Sequence, residues 1–149
     1  MSGKMKKRVL VFGTFDGLHP GHLYYLQQAK KFGTELIVVI ARDKTVEKIK
    51  GKKPILKEKE RKHLIESLKP VNKAVLGTKK GSVFEVVKKL KPEVIVLGYD
   101  QKPAKKELEK ELKRIGVKMK IKRVKALNSK RFKSSKLKKE IIKQFKQKT

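Results

Sequence analysis

Four short apolar runs punctuate the chain: "RVLVFG" (8–13), "ELIVVIAR" (35–42), "KAVLG" (73–77) and "EVIVLG" (93–98). Each is closed by glycine or a charged residue, and each is continuous rather than alternating, the pattern of strands buried on both faces. Between and after them the apolar spacing becomes that of amphipathic helices. "PGHLYYLQQAKKFG" places Leu23, Leu26, Ala29 and Phe32 along one side, starts near Pro20 and ends on Gly33, which reads as a C-terminal cap. "KEKERKHLIESLKP" gathers Leu64, Ile65 and Leu68 on one face, and "SVFEVVKKLKP" gathers Val83, Val86, Val87 and Leu90; both stop before a proline. Leu108, Leu112 and Ile115 repeat in "AKKELEKELKRIG", "VKMKIKRV" alternates like an edge strand, and residues 133–149 predict a closing helix.

The order β-α-β-α-β-α-β-α-β-α, with crossovers of helical length, predicts a doubly wound (Rossmann-like) α/β fold. Its sheet has five mostly parallel strands with helices on both faces. Right-handed crossovers and one reversal of winding give the strand order 3-2-1-4-5, with the topological switch between strands 1 and 4. Ligands in such sheets bind beyond the carboxyl ends of the strands at the switch. The loops expected to meet there are "GTFDGLHPGH" (13–22), after strand 1, and "GYDQ" (98–101), after strand 4.

With 149 residues and 38% hydrophobic content, the chain predicts a single domain over 1–149, with residues 1–6 as a flexible N-terminal tail. No run approaches 18 apolar residues, and "MSGKMKKRVLVFG" has neither the apolar length nor the cleavage site of a signal peptide, so a cytoplasmic location is expected. The absence of cysteine excludes disulfides, thiolate zinc sites and cysteine nucleophiles. The net charge of +29 attracts anything that carries phosphate, nucleic acid included. Only six of the 43 basic residues are Arg, the type that reads phosphates and base edges bidentately; the rest are Lys spread from Lys4 to Lys148, without the aromatic interleaving of single-strand binders. Such a Lys-rich composition also suits a protein from a hot habitat.

Only three carboxylates are Asp: Asp16, Asp43 and Asp100, following strands 1, 2 and 4 on the expected ligand edge. Asp43 suits a helix cap before "KTVEKIKG". Asp16 is open to two readings, a buried loop anchor or a ligand contact. Asp100 has no helix to cap and points to a binding role.

"GTFDGLHPGH" is neither a Rossmann glycine fingerprint nor a Walker lysine loop. It joins a strand to a helix entered at Pro20, with His19 and His22 three residues apart at that entry. Imidazoles beside free backbone N–H groups at a helix start form an anion site, to which Thr14 adds a hydroxyl. Zinc would need a third ligand, for which the chain offers only Asp16 or His63, and a purely structural turn explains the glycines and proline but not two of three histidines. Phosphate binding leads, and spacing alone does not establish catalysis.

With His19-Pro20-Gly21-His22 as an HxGH motif, the stretch resembles the cytidylyltransferase-like nucleotidyltransferase superfamily. The likeness extends through "ARDKTVEKIKGKKPI", "KERKHLIESLKPVNKAVLG", "LKPEVIVLGYDQ" and the terminal "SSK", and is greatest to the archaeal FAD synthases. It implies adenylyl transfer from ATP to FMN, giving FAD and pyrophosphate. Thr14, Phe15, Pro20, Gly21 and Asp100 would contact the nucleotide, and His19 and His22 would hold the triphosphate and stabilise the transition state. Ser134 and Ser135, opening the last helix, would hold phosphates. The Gly-Ile pair of the family's "RTxGIST" signature is missing, and Arg131 stands closer to the serines than the family's arginine. Lys50 and Lys53, with Arg131, are candidates for the triphosphate among the lysines after strand 2. No carboxylate cluster forms a metal cage, so Mg²⁺ is expected to ride on the nucleotide phosphates. Relatives are commonly dimers, which makes a homodimer an expectation too.

Two alternatives stay in view. One is the same chemistry with CTP and glycerol 3-phosphate or another alcohol phosphate, because no motif fixes the acceptor pocket. The other, prompted by charge alone, is a nucleic-acid-binding protein on the same fold.

Overall fold

The computed structural model describes residues 6–80, 82–99, 101, 105–128 and 130–147. Its strands are β1 (Arg8–Gly13), β2 (Glu35–Ile40), β3 (Lys73–Leu76), β4 (Val94–Leu97) and β5 (Lys120–Arg123). They form one sheet in the order β3-β2-β1-β4-β5 with every pair parallel, so the expected topology and its switch point are present. The helices are α1 (Pro20–Lys30), α2 (Asp43–Lys50), α3 (Glu58–Glu66), α4 (Val83–Leu90), α5 (Lys105–Arg114) and α6 (Ser134–Gln147). The β2–β3 crossover therefore carries two helices, α2 over the "KTVEKIKG" segment and α3, where the expected element order counted one. The expected N-terminal tail falls mostly at residues 1–5, outside the described residues.

Each continuous apolar run is divided between the two faces of the sheet by its period-2 alternation. Val9, Val11, Leu36, Val38, Ile40, Val94 and Val96 meet Leu26 and Ala29 of α1 and Ile65 of α3. Leu10, Ile37, Val39, Ile95 and Leu97 meet Val86 and Val87 of α4 and Leu108 and Leu112 of α5. Burial of this kind is worth about 1.5–3 kcal/mol per large aliphatic side chain.

Two local readings change. α1 ends at Lys30, its C-cap is Lys31 in a right-handed conformation, and Gly33 caps nothing. Gly33 is needed because a β-carbon there would collide with the Lys7 carbonyl and come within 2.7 Å of Val9 Cγ2. On α3 the fully buried positions are Ile65 and Arg61, while Leu64 is exposed, so the inward face is rotated toward a charged residue.

At the switch point the two expected loops are tied together. Gln101 donates through Nε2 to the Phe12 carbonyl at the end of β1, and its Oε1 accepts from Gly98 N at 2.9 Å. From α1, the Tyr25 hydroxyl donates to the Val96 carbonyl at 2.7 Å, which anchors the helix to β4.

Candidate active site

The loop after β1 is shaped by its small residues and by one carboxylate. Phe15 lies in the left-handed region (φ 54°), unusual for a bulky side chain, and its ring folds back onto Gly13, where any β-carbon would collide with it. Gly17 turns the chain at φ 92°. Buried Asp16 accepts from the backbone N–H groups of Ile55 and Leu56, each at 2.8 Å, and from Lys138 Nζ at 2.6 Å. Burial works to raise its pKa, but the Lys138 ammonium and those two N–H groups outweigh it and hold the carboxyl below its usual range. Asp16 thus performs the structural role of its two readings, and it also lines the main cavity described below.

Arg61 completes this framework. It is fully buried and donates to the Leu56 carbonyl (2.9 Å), the Thr14 carbonyl (2.8 Å) and Asp43 Oδ1 (2.7 Å). The capping role expected for Asp43 is not what its side chain performs: it is the first residue of α2, the N-cap is Arg42, and its carboxylate pairs with Arg61.

His19 and His22 form a capping box at the start of α1. Gly21 N donates to His19 Nδ1 at 3.0 Å, and His19 N donates to His22 Nδ1 at 3.3 Å. Both Nδ1 atoms are acceptors, so in each neutral ring the proton sits on Nε2. The rings stack with centroids 3.8 Å apart and planes 25° apart, while the Phe15 ring meets His22 edge-on at 5.2 Å. Gly21 is what admits this pair, since a β-carbon there would lie 2.8 Å from His19 Cε1 and 3.2 Å from Phe132 Cβ. Burial lowers the His19 pKa; burial, His19 and Lys50 together push His22 down to about 4. The site therefore presents two neutral Nε2–H donors at neutral pH.

The helix start itself differs from expectation. Pro20 has no N–H, Gly21 N is held by the His19 ring, and His22 N donates to the His19 carbonyl at 3.0 Å. The donors left open at this end of α1 are the imidazole Nε2–H groups rather than backbone N–H groups.

A cavity of about 700 Å³ opens over these residues, between the loops after β1 and β4 and the start of α6. Thr14, Phe15, His19, Gly21 and His22 line it from one side. Lys50, Ser134 and Ser135 line it from the other, and the Ser134 hydroxyl donates to the Gly17 carbonyl at 3.0 Å, locking α6 to the loop. Pro20 lines a neighbouring apolar cavity of about 470 Å³ that shares His19 and Leu127 with the first. Lys53 and Arg131 are exposed and line neither, with the Arg131 guanidinium over the Phe132 ring at 5.3 Å. Asp100 lies outside the described residues. Lys52, one of the lysines after strand 2 that the sequence offers for the triphosphate, also lines the main cavity, as do Lys138 and Phe132, which carried no motif by which sequence reading finds them. Among the described residues no group of three or more His, Cys, Asp or Glu could hold a metal ion, and no helix is long and apolar enough to cross a membrane.

A parallel sheet of this order with paired histidines at the first helix defines the class, and the chain belongs to the cytidylyltransferase-like family, whose model matches residues 10–140. Within it, the chain is 51% identical to a FAD synthase of Aciduliprofundum boonei over 79% of its length and 78% of the relative's. It is 48% identical to a FAD synthase of Methanosarcina mazei over 82% of its length and 79% of the relative's. Among solved structures it resembles a protein of Thermoplasma volcanium described as a lipopolysaccharide core biosynthesis protein, with a TM-score of 0.79 and 43% identity over 83% of this chain and all of that one.

Proposed function

We propose that this nucleotidyltransferase is an FMN adenylyltransferase, which transfers AMP from ATP to FMN and releases pyrophosphate. The observation that carries the reading is the pair of Nε2–H donors at the head of α1 in a chain about half identical to FAD synthases. A phosphate oxygen of FMN attacks the α-phosphorus of ATP in line with the bridging oxygen to the β-phosphorus. The new P–O bond forms as that bridge breaks, its electron pair leaves on pyrophosphate, and no covalent enzyme intermediate arises.

His19 and His22 donate to the α-phosphoryl oxygens, where charge is redistributed in the transition state. Lys50 and Lys52 face the triphosphate from the opposite wall, and the first turn of α6 at Ser134 and Ser135 presents its N–H groups to it. Thr14 and Phe15 set the cavity floor. Asp16 has its carboxylate committed to Ile55, Leu56 and Lys138, so a divalent cation would be held through the nucleotide phosphates and would neutralise their charge.

The test offers ATP and CTP separately with FMN, glycerol 3-phosphate and related monoesters, and follows pyrophosphate and product. FAD from ATP and FMN is expected. Pyrophosphate release only with CTP and an alcohol phosphate would overturn the proposal, as would none with any acceptor.

A further inference from the structure

The last helix carries an apolar face that none of the described residues covers. Ile141, Ile142 and Phe145 are 67, 54 and 70% exposed, although they follow Lys138 by three, four and seven residues. At 3.6 residues per turn those spacings put all three on the side of α6 from which Lys138 reaches Asp16. The face that α6 turns toward the catalytic loop is thus polar at its first turns, where Ser134 and Lys138 are engaged, and apolar for about 10 Å beyond.

A second apolar group is tied to the same carboxylate as Lys138. Ile49, at the end of α2, lines the main cavity yet is 76% exposed, and Ile55, in the following loop, is 70% exposed. Asp16 binds both groups into one region, since its Oδ2 accepts from Ile55 N at 2.8 Å and from Lys138 Nζ at 2.6 Å. Cationic Lys50, Lys52 and Lys138 line the cavity at the foot of this region.

Resting on the reading above, we infer that Ile141, Ile142 and Phe145, with Ile49 and Ile55, form the seat of the acceptor's isoalloxazine ring. The acceptor is a molecule with two ends, a phosphate dianion that must reach the α-phosphorus near His19 and His22 and a planar, largely apolar tricycle. Lysines at the cavity wall with uncovered aliphatic and aromatic side chains beyond them match those two ends in order. Continuity with the cavity distinguishes this surface from an isolated sticky patch: one end of it, Ile49, is cavity wall. The net charge of +29 disfavours a second copy of the chain as the cover and favours an anionic molecule.

The test is steady-state kinetics of Phe145→Ala, Ile142→Ser and Phe145→Tyr, with direct FMN binding followed by flavin fluorescence in the absence of ATP. Both positions are exposed, so circular dichroism and thermal unfolding should match the unaltered protein. We expect KM for FMN and the FMN Kd to rise about tenfold in the first two variants, with KM for ATP and kcat at saturating FMN unchanged and Phe145→Tyr close to normal. FMN constants unaltered in an enzyme that does make FAD would overturn the inference while leaving the proposed function intact. So would variants that change only the oligomeric state in sedimentation. Failure of the unaltered protein to make FAD would instead overturn the function on which the inference rests.

Discussion

Arg61 Nη2 lies 2.7 Å from Asp43 Oδ1, and the guanidinium that makes this contact has no exposure to solvent. One side chain from α3 thereby fixes the start of α2, the α2–α3 loop at Leu56 and the Thr14 carbonyl of the loop after β1. Its charge is dispersed over a carboxylate and two carbonyls, which offsets the desolvation of a buried cation.

Replacing Arg61 with Ala leaves the Leu56 and Thr14 carbonyls without their donor and opens a cavity under the active site. A loss of about 3 kcal/mol in urea unfolding is expected. Arg61→Lys should recover little of it, because one ammonium cannot reproduce the planar fork that serves three acceptors.

Gly21→Ala should separate catalysis from folding. The new methyl would lie 2.8 Å from His19 Cε1, so the ring pair must shift while the sheet and core are untouched. Displacement of this size at the reacting centre costs about 10²-fold in rate, read as kcat for FAD formation, with the thermal midpoint changed little.

Stability should fall with acidity in a window set by the histidines. Folding lowers the pKa of His22 from 6.5 to about 4, mainly through burial, and lowers that of His19 as well. Between those values the unfolded chain binds a proton that the folded one refuses, so this contribution is fully present above pH 6.5 and is lost progressively as pH falls toward 4. Denaturant midpoints measured across that range should slope downward toward acid, and His22→Asn should flatten the slope.

Among the described residues of α6 none is buried, and its ties to the catalytic loop include Lys138 to Asp16 and Ser134 to Gly17. Asp16→Ala removes the first of these and strips Ile55 N and Leu56 N of their acceptor. Amide exchange in α6 and the 50s loop should accelerate markedly, with a global loss of about 2 kcal/mol.

Much of this architecture is legible in the sequence because it rests on local pattern. Continuous apolar runs announce buried parallel strands, and "GTFDGLHPGH" announces its turn, its helix entry and its imidazoles. The framework beneath the site is hidden for a physical reason: it is built from long-range pairs of ordinary charged residues. Arg61 is one of 43 basic side chains and reads as solvated until the fold encloses it. Lys138 meets Asp16 across 122 positions of sequence. The misread glycine is of the same origin, since Gly33 answers to Lys7 and Val9 on a neighbouring segment and not to the helix it follows. Gln101 closes the switch point through a backbone carbonyl of β1, which no spacing in "GYDQ" discloses.

The central claim is that the stacked pair at the head of α1 carries the transfer of the nucleotidyl group, and the rate of FAD formation in His19→Ala and His22→Ala tests it most directly. Each variant should fold normally and lose about 10² to 10³ in kcat, the cost of one transition-state donor. Near-normal turnover in either would contradict the account.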